Sequence, residues 1–164
     1  MRDTGLVAAL SNALLYLLTE QPEAWARLAV DEQSAEVLTE RLLHLIPLND
    51  HEERLGRLLA ATEDVRLGDV TIRAGDLVRT DRIAANRDPA AFPGSPHDGL
   101  FAPLPKPSLI FGAGLHCCLG TWFARAELQL ALHRLAALNL TVTADDIVWR
   151  RGTISRGPQH LPAT

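Results

Sequence analysis

Leu109 to Gly120 reads "LIFGAGLHCCLG" and holds both cysteines of this 164-residue chain, side by side. Gly112 and Gly114 free the backbone of side-chain bulk, so the loop can lie close against a flat or bulky object. A helix is expected directly afterwards, with Ala124, Leu128, Ala131 and Leu135 as its buried stripe and Arg125, Glu127, Gln129 and Arg134 facing outward. At a helix start the dipole and the free N–H groups favour an anionic sulfur, which is a soft metal ligand. His116 stands two residues before Cys118, on the same side of an extended loop, where it can bond an anionic group.

At the level of residues three readings stand for the cysteines: a metal ligand, a nucleophile, or two small residues packed at a helix start. Zinc asks for four ligands in paired spacings, and adjacent cysteines with no second Cys/His cluster do not supply them. No base partner for a nucleophile can be named from the sequence. Neighbouring cysteines bridge each other only with strain, so a reducing, cytoplasmic setting is expected.

The rest of the chain has ordinary globular composition, 47% hydrophobic and 22% charged, with only 5% aromatic residues, so aliphatic side chains must build the core. A net charge of -4 without a basic cluster argues against a nucleic-acid partner. Leu6 to Leu18, the most apolar stretch, is broken by Ser11 and Asn12 and is too short to span a bilayer. Arg2 is cancelled by Asp3, so a secretory leader is not expected either.

Residues 1–46 read as helices. Leu6, Leu10, Leu14, Leu17 and Leu18 recur at helical spacing, Pro22 suits a helix start, and Ser34 to Leu45 carries Val37, Leu38, Leu42 and Leu45 on one side. Residues 47–91 pass from helix to short strands, with Val65/Leu67, Val70/Ile72 and Leu77/Val78 separated by Gly68-Asp69 and Gly75-Asp76. The prolines of 92–108 leave an ordered coil, residues 121–137 form the helix, and 138–164 read as short strands and turns. The fold class is therefore mainly α with small β-sheets, in a single domain.

The pattern Phe111, Gly112, Gly114, His116, Cys118, Gly120 resembles, at every fixed position, the haem-binding loop of the cytochromes P450. The resemblance extends over nearly the whole chain and implies the C-terminal portion of that fold, beginning inside the long central helix. It implies haem b with Cys118 as the axial iron ligand, a thiolate that pushes electron density onto iron. By the same resemblance Cys117 holds a variable position, His116 bonds a propionate, and Ala124 packs on the ring. Asp3 and Thr4, one residue out of an ungapped match, are the candidates for the acid–alcohol pair that delivers protons to oxygen. Ile154 and Ser155 are candidates to face substrate.

The implied activity is a haem-thiolate monooxygenase that takes electrons from a ferredoxin-type or flavoprotein donor and oxidises a small organic substrate. Departures from the family pattern imply an alternative, a non-catalytic P450-like remnant or partner-binding auxiliary, and a chain that alone is inactive or weak. The family pairs a glutamate with an arginine three residues on. Here Glu40 is followed by Leu43, and Glu40 is expected to be exposed or paired with His97. Arg54 and Arg57 lie near the place of a second propionate-binding arginine but out of register. Apolar faces of the first three helices are expected to be left open, to be covered by self-association or by another chain.

Overall fold

The computed structural model describes residues 4–46, 58–94, 99–142, 147–149 and 157–164. Helices α1 (Thr4–Glu20), α2 (Pro22–Val30) and α3 (Ser34–Leu45) follow one another through tight connections. Strands β1 (Leu58–Ala60), β2 (Val65–Leu67), β3 (Val70–Ile72) and β4 (Leu77–Arg79) come next, then the short helix α4 (Arg82–Asn86). Helix α5 (Thr121–Ala136) follows the cysteine loop, and β5 (Val148–Trp149) pairs with β6 (Pro158–His160) near the end.

Local chemistry accounts for the element boundaries. Pro22 opens α2, where its missing N–H costs nothing and its fixed φ suits a helix. Asp81 caps α4 by accepting from the Ala84 N–H at 2.9 Å. Strands β2 and β3 pair antiparallel, Val65 opposite Ile72, around Gly68, which takes a φ of 60° that a side chain would resist. Gly75, at φ 91°, turns the chain into β4, which pairs with β1. The β1–β4 pairing and helix α4 carry no signal in the sequence pattern, because the pairing sets Leu58 opposite the distant Arg79 and five residues are too few to show a helical period.

Helices α1, α2, α3 and α5 share one core, built on Ala13, Leu17, Trp25, Leu28, Leu38, Leu42 and Leu132. In α1 the deepest contacts come from Ala8, Ala9, Ala13 and Leu17, whereas Leu6, Leu10 and Leu14 of the expected stripe are half-buried beside them. Small residues let helices approach, and the leucines fill the flanks. The chain returns over this face at Gly157, where a Cβ would stand 3.3 Å from Ala8 Cα and Cβ and 3.2 Å from Asn12 Oδ1.

The second half of α3 is buried on every side, from Arg41 through His44. Leu43 enters a second apolar cluster with Ala9, Ile110 and Leu128. Arg41, only 2% exposed, donates from Nε and Nη2 to the carbonyl of Ala102 at 2.9 and 2.6 Å. His44 lies with its ring centroid 4.6 Å from that of Phe92. Arg41 and His44, three apart on α3, thus turn polar side chains to the proline-rich segment, whereas the Leu43 side chain enters the second apolar cluster.

Apolar exposure falls elsewhere than expected. The first three helices expose only Val7 and Val30 among the described large apolar side chains, whereas β1 to β4 (Leu58, Leu67, Val70, Leu77), the cysteine loop and the start of α5 expose more. The helices bury their apolar faces against one another and α5; among the described residues no element forms a layer across the three-residue strands.

Burial, then the neighbouring Arg41 and Arg87, holds the His44 pKa below its ordinary 6.5, against a smaller opposing pull from Glu40. The unfolded chain takes up a proton near pH 6.5 while the folded chain does not, so stability is full above that pH and falls on acidification until the lowered pKa is reached. Urea unfolding should show a decline in stability as the pH falls below 6.5 that is reduced in His44→Gln. Gly157→Ala should lower stability by about 1 kcal/mol through crowding against the α1 backbone, read from the same urea midpoints.

Candidate functional site

The cysteine loop is pinned before it begins. Ser108 Oγ donates to the carbonyl of Leu43 at 3.4 Å and accepts from Asn86 Nδ2 at 3.1 Å and from the Ile110 N–H at 3.3 Å. Asn86 Oδ1 accepts the Leu109 N–H at 2.8 Å, and Arg82 Nη1 donates to the Ile110 carbonyl at 2.8 Å. Asn86 and Ser108 are both buried, so these bonds replace water that cannot reach them. Ile110 then wedges into the cluster formed with Ala9, Leu43 and Leu128.

From there the loop turns twice. A 3-10 turn spans Leu109–Phe111 and a second spans Gly114–His116. Gly112 and Gly114 take φ of 77° and 69°, the left-handed region that glycine enters without strain. The Phe111 carbonyl accepts the Cys118 N–H at 2.9 Å, which closes the loop on itself. The Cys118 carbonyl accepts from the Thr121 N–H at 3.2 Å and from Thr121 Oγ1 at 2.7 Å, which ties the cysteine to the first turn of α5.

The two cysteines differ in setting. Cys117 is half-buried with its Sγ 3.7 Å from Thr121 Oγ1, whereas Cys118 is exposed. Around Cys118 the loop presents apolar side chains to the outside: Leu115 and Leu119 are 102% and 101% exposed, and Trp122 and Phe123 are also largely uncovered. A Cβ at Gly120 would lie 3.9 Å from Cys118 Sγ, so the glycine keeps that side of the sulfur clear. An uncovered thiol among apolar side chains, on a backbone without bulk at 112, 114 and 120, fits a flat apolar group that offers a soft metal ion.

Phe111, Gly112, Gly114, His116, Cys118 and Gly120 therefore share one continuous loop, with His116 exposed and Ala124 half-buried one turn into α5. Asp3, Arg54, Arg57, His97, Ile154 and Ser155 lie outside the described residues, and of Thr4 only the backbone, at the start of α1, is described. No group of three or more His, Cys, Asp or Glu side chains suited to a metal ion occurs among the described residues. A single-thiolate site needs no such group.

Arg125 departs from the sequence-based expectation. It lies on the buried stripe of α5, between Thr121 and Leu128, and its side chain is 13% exposed. Its Nε donates to Glu40 Oε1 and its Nη2 to Glu40 Oε2 at 3.3 Å. Glu40 is thus largely covered and paired with Arg125, and its expected partner His97 lies outside the described residues. An arginine in mid-helix reads as a solvent-facing charge, and only the approach of α3 to α5 turns it inward.

The family model of cytochrome P450 matches residues 54–137, half of the chain and the whole of this loop. The chain belongs to the cytochrome P450 family. Similar P450 relatives include nocardicin C N-oxygenase of Nocardia uniformis subsp. tsuyamanensis, 40% identical over 156 residues, which are 92% of this chain and 38% of that protein. Mycinamicin IV hydroxylase/epoxidase of Micromonospora griseorubida is 37% identical over 90% of this chain and 37% of its own length. Among solved structures, the LnmA cytochrome P450 hydroxylase of Streptomyces atroolivaceus S-140 superposes with a TM-score of 0.82 at 34% identity, covering 97% of this chain and 41% of that one. The chain spans about two-fifths of the length of these P450s and has part of their fold, helical with small sheets. No helix among the described residues is long and apolar enough to cross a membrane.

Asn86→Ala should remove two hydrogen bonds from a buried site and leave the Leu109 N–H without its acceptor. A loss of about 2 kcal/mol in chemical denaturation is expected, together with faster proteolysis within 109–120.

Proposed function

We propose that this chain is the haem-ligand part, the C-terminal portion, of a bacterial P450 monooxygenase, with Cys118 as the thiolate ligand of haem b. The observation that carries the reading is the exposed Cys118, fixed by the Phe111 carbonyl and by Thr121, within an uncovered apolar surface. When bound, haem supplies the dioxygen activation that protein side chains cannot perform. Leu115, Leu119 and Phe123 would exclude water from the thiolate side, which the electron-donating role of sulfur requires. His116 would bond a propionate through its ring N–H, and Ala124 would pack against the ring without crowding it. Asp3 and Thr4 are the proposed route for protons.

The reaction inserts one oxygen atom of O2 into the substrate and reduces the other to water with two electrons and two protons. Those electrons would come from a ferredoxin-type or flavoprotein donor, in the cytoplasm. Relatives named as an N-oxygenase and as a hydroxylase/epoxidase point to a small organic substrate rather than a macromolecule. The exposed apolar strands and cysteine loop would be covered by self-association or by another chain.

A second reading is a non-catalytic P450-like protein. It is favoured by Leu43, an apolar core residue 4% exposed where the family pattern expects an arginine. One experiment separates the two. The chain is expressed with haem supplied, reduced, and exposed to carbon monoxide. A red-shifted Soret band that persists in Cys117→Ala and disappears in Cys118→Ala supports the monooxygenase. Absence of haem uptake supports the non-catalytic protein.

A further inference from the structure

An arginine inside a helix's apolar stripe has to be neutralised there, because burial without a partner is costly. Arg125 meets that demand with Nε and Nη2 of its guanidinium, which fork onto the two carboxylate oxygens of Glu40 from α3. The pair is far less exposed than an ordinary surface ion pair, at 13% and 22%. The guanidinium also lies over the ring of Phe111, with Cζ 4.9 Å from the centroid. Phe111 ends the first 3-10 turn of the cysteine loop, and its carbonyl is the acceptor for the Cys118 N–H.

We infer that Glu40 and Arg125 are positioning residues for Cys118. The ion pair clamps α3 to α5, the guanidinium holds the Phe111 ring, and the Phe111 carbonyl thereby keeps Cys118 facing outward. Neither residue touches the sulfur. The clamp differs from a glutamate–arginine pair spaced three apart on one helix, since its members are 85 residues apart and on different helices. The inference rests on the reading of Cys118 as the haem ligand, but the loop geometry can be tested without haem.

The test is residue-resolved hydrogen exchange on the 164-residue chain in Glu40→Gln, Arg125→Lys, Arg125→Leu and the charge-swapped double variant Glu40→Arg/Arg125→Glu. Exchange at the Cys118 amide should rise about tenfold in Glu40→Gln, while the β2–β3 hairpin amides are unchanged, and the swapped pair should restore much of the protection. Arg125→Lys keeps the charge but loses the fork and the ring contact, and should fall between wild type and Arg125→Leu. Unchanged exchange at Cys118 in both Glu40→Gln and Arg125→Lys overturns the inference, as does a rise of equal size throughout the chain. Glu40→Gln preserves shape and decides the matter even if Arg125→Leu does not fold. With haem supplied, the same variants should lose at least half of the red-shifted reduced-CO band at unchanged haem content. A wild-type chain that takes up no haem overturns the monooxygenase reading instead, and the exchange data still decide the clamp.

Discussion

The arrangement of this molecule depends on one apolar wedge, the side chain of Ile110 set among Ala9, Leu43 and Leu128. Burying such a side chain contributes about 1.5–3 kcal/mol, and here it also places the loop that follows. Three helices, α1, α3 and α5, meet at that point, so their packing and the position of the cysteine are set together. Asn86 and Ser108 hold the chain immediately before the wedge with buried hydrogen bonds. A loop with these anchors can expose Cys118 without being loose.

The site is thus a contrast between its base and its tip. Ile110 is buried, whereas Leu115, Cys118 and Leu119 face outward only a few residues later. Exposed leucine, tryptophan and phenylalanine side chains within five residues of a thiol are costly in water. The same surface would be an aggregation hazard if left bare.

Helix α3 shows how far charge placement departs from sequence spacing. Glu40, Arg41 and His44 are near neighbours in sequence, yet each turns to a different partner: Arg125, the Ala102 carbonyl and Phe92. The helix is buried on all sides in its second half, so every polar side chain there has to find a contact across a different interface. Leu42 and Leu43 turn to two separate apolar clusters.

The loop from Phe111 to Gly120 was legible in the sequence because six positions at set spacings, three of them glycine, encode one backbone path that neighbouring residues build. Helices α1, α2, α3 and α5 were legible for the same reason: a helix long enough to repeat displays its period. The hairpin of β2 and β3 was announced by Gly68. What lay beyond the sequence were contacts between residues distant along the chain. The inward turn of Arg125 and its pairing with Glu40, the burial of Arg41, the β1–β4 pairing and the Asn86–Ser108 network belong to this group. Local pattern records how a residue relates to its own helix or turn. Whether a charge at one position faces water or a carboxylate 85 residues away depends on how helices cross, which only the packed structure decides.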